Sequence, residues 1–145
     1  MQNSRIRFTM HIVQGNERMK TSYEADAKFV EKDGRWFLFY DEHNEEDGEI
    51  TKCRFEIESD TLRMRRNGPI VIEQSHQRDA KTEGYMKTPF GHMDTKIRTF
   101  KYAFTLKTNG DYLLALGYDL YTGGEKTGTY LLNITITEKE EVISC

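Results

Sequence analysis

Proline, cysteine and tryptophan are scarce in this chain: 145 residues hold two prolines, two cysteines and one tryptophan. With so little proline and no low-complexity tract, nothing marks a linker, and residues 1–145 read as a single domain able to bury a core. Cys53 and Cys145 lack metal-ligand spacing and read as free thiols of a reducing compartment. No apolar run is long enough for a transmembrane helix, and Met1-Gln2-Asn3-Ser4-Arg5 leads directly into alternation without the apolar centre of a signal peptide. The expected location is cytoplasmic, with no membrane partner.

Charge of one sign is also lacking. Lys and Arg total 21 against 24 Asp and Glu, a formal net charge of −3, so no global field draws nucleic acid or anionic lipid. Gly-x-Ser-x-Gly elbows and phosphate-cradling glycine loops are absent, and Gly123-Gly124 is an isolated turn. His11, His43, His76 and His92 have no short ligand spacing; His92-x-Asp94 is a two-residue match on a face expected to be exposed. The chain is therefore expected to use no metal and no cofactor, and no catalytic residue is assigned.

What the sequence does have is period-two alternation. Ile6, Phe8, Met10 and Ile12 alternate with polar residues, as do Tyr23, Ala25, Ala27 and Phe29. Thr51, Cys53, Phe55 and Ile57 follow, then Leu62, Met64 and Arg66, then Met93, Thr95, Ile97 and Thr99. Tyr112, Leu114, Leu116, Tyr118 and Leu120 share another face, and Tyr130, Leu132, Ile134 and Ile136 the last. Apolar residues at every second position describe half-buried strands, and no segment offers the three-and-four spacing of a helix. Turn chemistry separates them: Gln14-Gly15-Asn16-Glu17, Lys32-Asp33-Gly34-Arg35, Asn67-Gly68-Pro69, Thr88-Pro89-Phe90-Gly91, Thr108-Asn109-Gly110-Asp111 and Gly123-Gly124-Glu125-Lys126. Trp36–Tyr40 is apolar on both faces, Asp41–Gly48 reads as an acidic loop, and Ser75–Gly84 as a mobile polar loop. The expectation is an all-β protein, a single antiparallel, mostly up-and-down barrel of eight or more strands, since closure removes aggregation-prone edges.

Four motifs run in order through nearly the whole chain: Tyr40-Asp41-Glu42, Arg65-Arg66-Asn67-Gly68, Tyr85-Met86-Lys87-Thr88-Pro89-Phe90-Gly91 and Gly117-Tyr118-Asp119-Leu120. In these the chain resembles the YwiB-like family, a bacterial family of unknown function whose members resemble calycins. The resemblance implies a lipocalin-like β-barrel and no established activity; ligand binding enters only by analogy of fold.

Arg66 is the most informative residue, because the alternation points a guanidinium inward with Leu62 and Met64. A buried charge needs a partner, and Glu42, in phase with Trp36, Leu38 and Tyr40, is the natural one. Two readings stay open: an internal ion pair closing one barrel end, or an anchor for a small, anionic or hydrogen-bonding ligand. The candidate ligand-binding residues are Tyr40, Glu42, Arg66, Tyr85, Thr88 and Tyr118. Ala25 and Ala27 could leave room for such a ligand, although small residues also fit the taper of a small barrel. The favoured function is non-enzymatic binding of a small molecule within the barrel. The alternative is a solid barrel acting as a macromolecular interaction module through its outer face. Acid–base catalysis by Glu42, Arg66 and a tyrosine would need a substrate within reach, which the sequence does not supply. Arg5, Arg7, Arg63 and Arg65 are expected to face outward as surface charge rather than as a nucleic-acid patch. A homodimer is compatible with all of this.

Overall fold

A computed structural model describes residues 2–138; Cys145 lies outside the described residues. Ten strands form one closed antiparallel barrel: β1 (Gln2–Gln14), β2 (Glu17–Lys32), β3 (Arg35–His43), β4 (Ile50–Ile57), β5 (Thr61–Asn67), β6 (Val71–Gln77), β7 (Lys81–Thr88), β8 (Gly91–Leu106), β9 (Tyr112–Thr122) and β10 (Glu125–Glu138). Each strand pairs with its sequence neighbours, and β1 meets β10 through Ser4↔Glu138 to Val13↔Thr129. The up-and-down barrel expected from the alternation is the observed fold, and no helix occurs among the described residues.

The interior is asymmetric along its axis. At the end carrying the β2–β3, β4–β5, β6–β7 and β8–β9 turns, aromatic rings plug the barrel. Phe29 stacks on Trp36 at 4.9 Å between centroids, Trp36 meets Tyr112 at 4.8 Å, and Tyr112 stacks on Phe104 at 5.4 Å. Such pairs each add about 0.5–1.5 kcal/mol beyond the area they bury. Ile57, Leu62, Leu114, Ile134 and Ile136 fill the spaces between them and are almost wholly buried. Tyr102 spans this end, donating its hydroxyl to the Glu58 carbonyl at 2.6 Å.

Several local expectations need correction. The acidic segment is strand as far as His43, because Asp41↔Lys52 and Glu42↔Thr51 extend the pairing with β4; the loop proper is 44–49, closed by mutual hydrogen bonds of Asn44 with Glu49 and Gly48. The polar stretch 75–84 is not a loop but the end of β6, a tight turn with Asp79 at φ 56°, and the start of β7. Its buried His76 is satisfied by Gln74 and Thr99 on either side of the stretch, so composition concealed a strand. Met93, expected inside, is 49% exposed. The reason is that β9 begins to pair with β8 only at Thr95, leaving Gly91–Asp94 projecting with β7 alone. A bulge between Thr99 and Lys101 then turns Phe100 outward and shifts the inward set from Ile97 and Thr99 to Tyr102 and Phe104. The outer face of β3 is covered by a charge: the Arg54 guanidinium lies 5.9 Å from the Phe37 ring centroid and 5.5 Å from that of Phe39.

Pairing between β2 and β3 is brief. It covers only Ala27–Lys32 with Arg35–Tyr40, whereas β2 pairs with β1 from Glu17 to Phe29. From Ala25 to Glu17 the second edge of β2 enters no strand pairing among the described residues.

Candidate functional site

Opposite the aromatic plug the interior is hollow. A cavity of about 310 Å³ is enclosed by β1 (Phe8, Met10), β5 (Met64), β6 (Ile72), β7 (Met86) and β9 (Leu116). Flexible methionines make up a notable part of this wall, and such side chains adapt to irregular ligand shapes. Polar groups converge from several strands: Tyr23 on β2, Tyr40 and Glu42 on β3, Arg66 on β5, Gln74 on β6, Tyr118 on β9 and Tyr130 on β10.

Arg66 donates to the Glu42 carboxylate in a close contact that ties β5 to β3 across β4. Their side chains are 37% and 28% exposed, so the pair sits at the rim of the cavity rather than in the dry core. Burial, the largest single influence, works against the guanidinium charge, but Glu42 together with Cys53 and Tyr23 outweighs it and raises the Arg66 pKa. Next to the pair, the Tyr23 and Tyr40 hydroxyls share a hydrogen bond of 2.9 Å. Burial raises the pKa of Tyr23, Tyr40 and Tyr118, so all three remain neutral donors and acceptors near neutral pH.

Beneath them lies a buried polar network. His76 is 1% exposed and reaches Thr99 Oγ1 through Nδ1 at 2.9 Å and Gln74 Oε1 through Nε2 at 3.0 Å. An amide oxygen only accepts, so Nε2 carries the proton, Nδ1 accepts, and Thr99 donates. With its oxygen held by His76, Gln74 turns its amide nitrogen to Tyr118 and the cavity. Burial pushes the His76 pKa down to about 4, which keeps the imidazole neutral at ordinary pH. Thr95 Oγ1, close by, is buried without a hydrogen-bond partner among the described residues.

Of the six candidate residues, Tyr40, Glu42, Arg66 and Tyr118 line the cavity. Tyr85 does not: its neighbours Gly84 and Met86 pair with the inward Gln74 and Ile72, so Tyr85 points outward. There it donates to Glu73 Oε2 at 2.8 Å and stacks on His92 at 5.2 Å. That hydrogen bond, together with Arg63 and Arg65, holds the Glu73 carboxyl below its ordinary range. Thr88 is spent on the β7–β8 turn, where Oγ1 accepts the Phe90 N–H at 3.1 Å. Ala25 and Ala27 border a separate open cleft between β2 and β3 rather than the cavity. Tyr23, Gln74 and Tyr130 were not singled out from the sequence; each stands on the inward phase of its strand, and Gln74 between Ile72 and His76 was a readable signal.

The remaining expected features resolve simply. Cys53 is buried and free, its thiol pushed up by burial although Arg66 lies near. The four arginines face acids: Arg5 with Asp26 at 2.9 Å, Arg7 with Glu24 at 3.1 Å, and Arg63 and Arg65 both with Glu73. No group of His, Cys, Asp and Glu suited to a metal ion occurs among the described residues. No helix among them is long and apolar enough to cross a membrane.

A family model described as "Domain of unknown function (DUF1934)" matches residues 6–134. The crystal structure of the ywiB protein from Bacillus subtilis superposes with a TM-score of 0.82 over 96% of this chain and 93% of that one, at 16% sequence identity. At that identity the likeness speaks for the fold alone, a closed antiparallel barrel that fits the calycin-like form implied by the four motifs. No curated protein matches the chain by sequence.

Proposed function

The chain belongs to the DUF1934 family, and we propose that it is a non-enzymatic binding protein whose barrel takes up one small, amphipathic molecule. A single observation carries this reading: a cavity of about 310 Å³ with apolar walls and a rim of convergent polar groups, closed at its far end by stacked aromatics. That volume lies at the lower end of ordinary ligand pockets, about 300–1,000 Å³, and fits a chain or ring system of modest size. The polar end of the ligand would meet Arg66, Glu42, Tyr23 and the amide nitrogen of Gln74. Because Glu42 already balances the Arg66 charge, a neutral head group with both a donor and an acceptor suits the rim; an anion would have to displace Glu42. Neutral phenols and a protonated thiol supply hydrogen bonds rather than nucleophiles or bases, which favours binding over catalysis. A cytoplasmic setting belongs to the same reading, since Cys53 is kept as a free thiol.

The test is calorimetric titration with decanamide, decanol and decanoate. Decanamide is expected to bind best, with its affinity reduced in Arg66→Met and Gln74→Leu. Absence of binding by all three, with the variants and wild type equally stable, would refute the reading. Preference for decanoate would instead restore the anionic ligand.

The alternative of an interaction module has one observation in its favour. Met19, Ile50, Ile70, Phe90 and Met93 are all exposed at the open end of the barrel, Phe90 almost completely. A cavity that stays dry and unoccupied in the titration would shift weight to that rim.

A further inference from the structure

The open end of the barrel carries an apolar lip that is continuous with the cavity wall. We infer that this lip docks on a lipid bilayer with a neutral, zwitterionic surface, Phe90 and Ile70 entering its apolar boundary, so that an amphipathic ligand passes between bilayer and cavity. The purpose of the docking rests on the cavity reading above; the docking itself is a property of the lip.

Five of the eight large apolar side chains exposed among the described residues lie at this end, so the apolar surface is concentrated there. Ile70 and Phe90 occupy neighbouring turns, because the pairing of Val71 with Lys87 sets the β5–β6 turn beside the β7–β8 turn. Phe90 is almost wholly exposed at its tip. The β7–β8 hairpin also projects past β9, whose pairing with β8 begins at Thr95. Exposed apolar groups gathered in this way mark contact with a protein or a membrane.

Two observations favour the membrane. Ile72 and Met86 line the cavity and face each other across β6 and β7, and Met86 in turn faces Met93 on the lip. On another side of the mouth Ile12 lines the cavity and faces the exposed Met19. Apolar side chains thus lead from the cavity out to the lip. A protein partner would need only the lip, whereas a molecule moving between two apolar phases gains from the whole path, since any stretch through water costs hydrophobic free energy.

The tip of the hairpin is also prepared for an apolar surrounding. Pro89 has no N–H, the Phe90 N–H donates to Thr88 Oγ1 at 3.1 Å, and the Thr88 hydroxyl donates to the Gly91 carbonyl at 3.4 Å. These donors are spent within the turn, so the tip enters the boundary without stranding them.

Charge decides the kind of bilayer. Residues 67–72 include no Lys, Arg, Asp or Glu, and residues 86–93 include only Lys87. The β3–β4 loop at the same end holds Glu45, Glu46, Asp47 and Glu49, which an anionic surface would repel and a zwitterionic one would not. The described chain ends, Gln2 and Glu138, lie at the plugged end, a strand length from the lip. The expectation of no membrane partner rested on net charge and on spanning runs, and neither registers two apolar turns.

Flotation with phosphatidylcholine vesicles tests the docking, with far-UV circular dichroism and urea melts confirming that each variant folds as wild type does. Wild type is expected to float at low and at high salt, because the attraction is not between charges. The double variant Phe90→Ser, Ile70→Ser is expected to need at least about tenfold more lipid for the same bound fraction, since both side chains lose their apolar contact. Phe90→Trp is expected to be quenched by brominated phosphatidylcholine at the introduced ring, whereas Trp36, in the plug at the far end, is not quenched in wild type. A wild type that does not float would overturn the inference, as would a double variant that floats equally well or a Trp36 quenched as strongly as the introduced tryptophan. Flotation that requires phosphatidylglycerol would overturn it too. So would self-association that the double variant abolishes without any flotation, which would assign the lip to a second copy. Loss of flotation with decanamide still bound strikes the docking and leaves the cavity reading standing; flotation without any bound ligand supports the docking and strikes only the cavity reading.

Discussion

Acidification should destabilise this protein through one buried imidazole, and the size of the effect follows from where it sits. His76 is 1% exposed beneath the cavity, held by Thr99 and Gln74, with the Tyr118 ring 4.7 Å away. Burial alone lowers its pKa to about 4, whereas the unfolded chain returns it to about 6.5. Between these values the unfolded state binds the proton and the folded state does not, so stability falls as pH falls through that window. Above about pH 6.5 the contribution is complete; below about 4 it is gone. At about 1.4 kcal/mol per pH unit the loss amounts to about 3 kcal/mol. Urea unfolding at a series of pH values measures it, with His76→Gln as reference. Other groups also respond to acid: Glu73, held low by its hydrogen bond to Tyr85, loses its own contribution at lower pH. That part is common to both proteins and cancels, so the wild-type profile minus the variant profile isolates His76. The variant's absolute stability is immaterial; its slope between pH 6.5 and 4 should be flatter by about 3 kcal/mol. Parallel profiles would refute the assignment of a neutral, desolvated His76.

Three further outcomes follow. Arg66→Ala should cost about 1–3 kcal/mol in urea melts, between the values for exposed and for buried pairs, because its side chain is 37% exposed and that of Glu42 is 28% exposed. Arg66→Met combined with Glu42→Leu should recover most of this loss, and a double variant no better than the single would contradict the pairing. Gly84→Ala should destabilise by about 1–3 kcal/mol, since a Cβ there would stand 2.3 Å from the Glu73 carbonyl oxygen; the same change at Gly117 meets mainly side chains of Phe100 and Leu131 and should cost less. Native Cys145→Ser protein should react with a thiol reagent only as fast as the barrel opens, because Cys53 is 3% exposed; labelling at the rate of a free thiol would show the wall to be open.

Strand phase was legible wherever a residue's chemistry agreed with its side of the sheet. The alternation from Ile6 onward gave the strands, Asp-Gly and Asn-Gly gave turns, and Arg66 opposing that pattern gave the ion pair now seen with Glu42. Legibility failed where polar residues face inward. Gln74, His76 and Thr99 satisfy one another inside the barrel, a closure of hydrogen bonds across strands that no local pattern announces, and so the segment around His76 looked like a loop. It failed again where an element outruns its partner. Met93 belongs to a β7–β8 hairpin that projects past β9, and its surroundings depend on where pairing with β9 starts. Cross-strand register of that kind is a non-local fact.

The same dependence on partner length shapes the site. Had β3 paired with β2 along its whole length, the wall beside Tyr23 would be an ordinary ladder and the cavity would open only at the barrel end. Instead β3 leaves β2 after Tyr40 and continues with β4, and the wall is bridged there by the hydroxyl contact of Tyr23 with Tyr40. Two of the phenols that line the cavity are thus also the ones that hold this seam. Loosening the seam and binding a polar ligand draw on the same hydrogen bonds, so Tyr23→Phe should change both ligand affinity and hydrogen-exchange protection of β3 from Tyr40 to His43. Tyr130→Phe, which lines the cavity away from the seam, should leave that protection unchanged. If both variants alter exchange equally, seam and ligand site are not coupled through Tyr23.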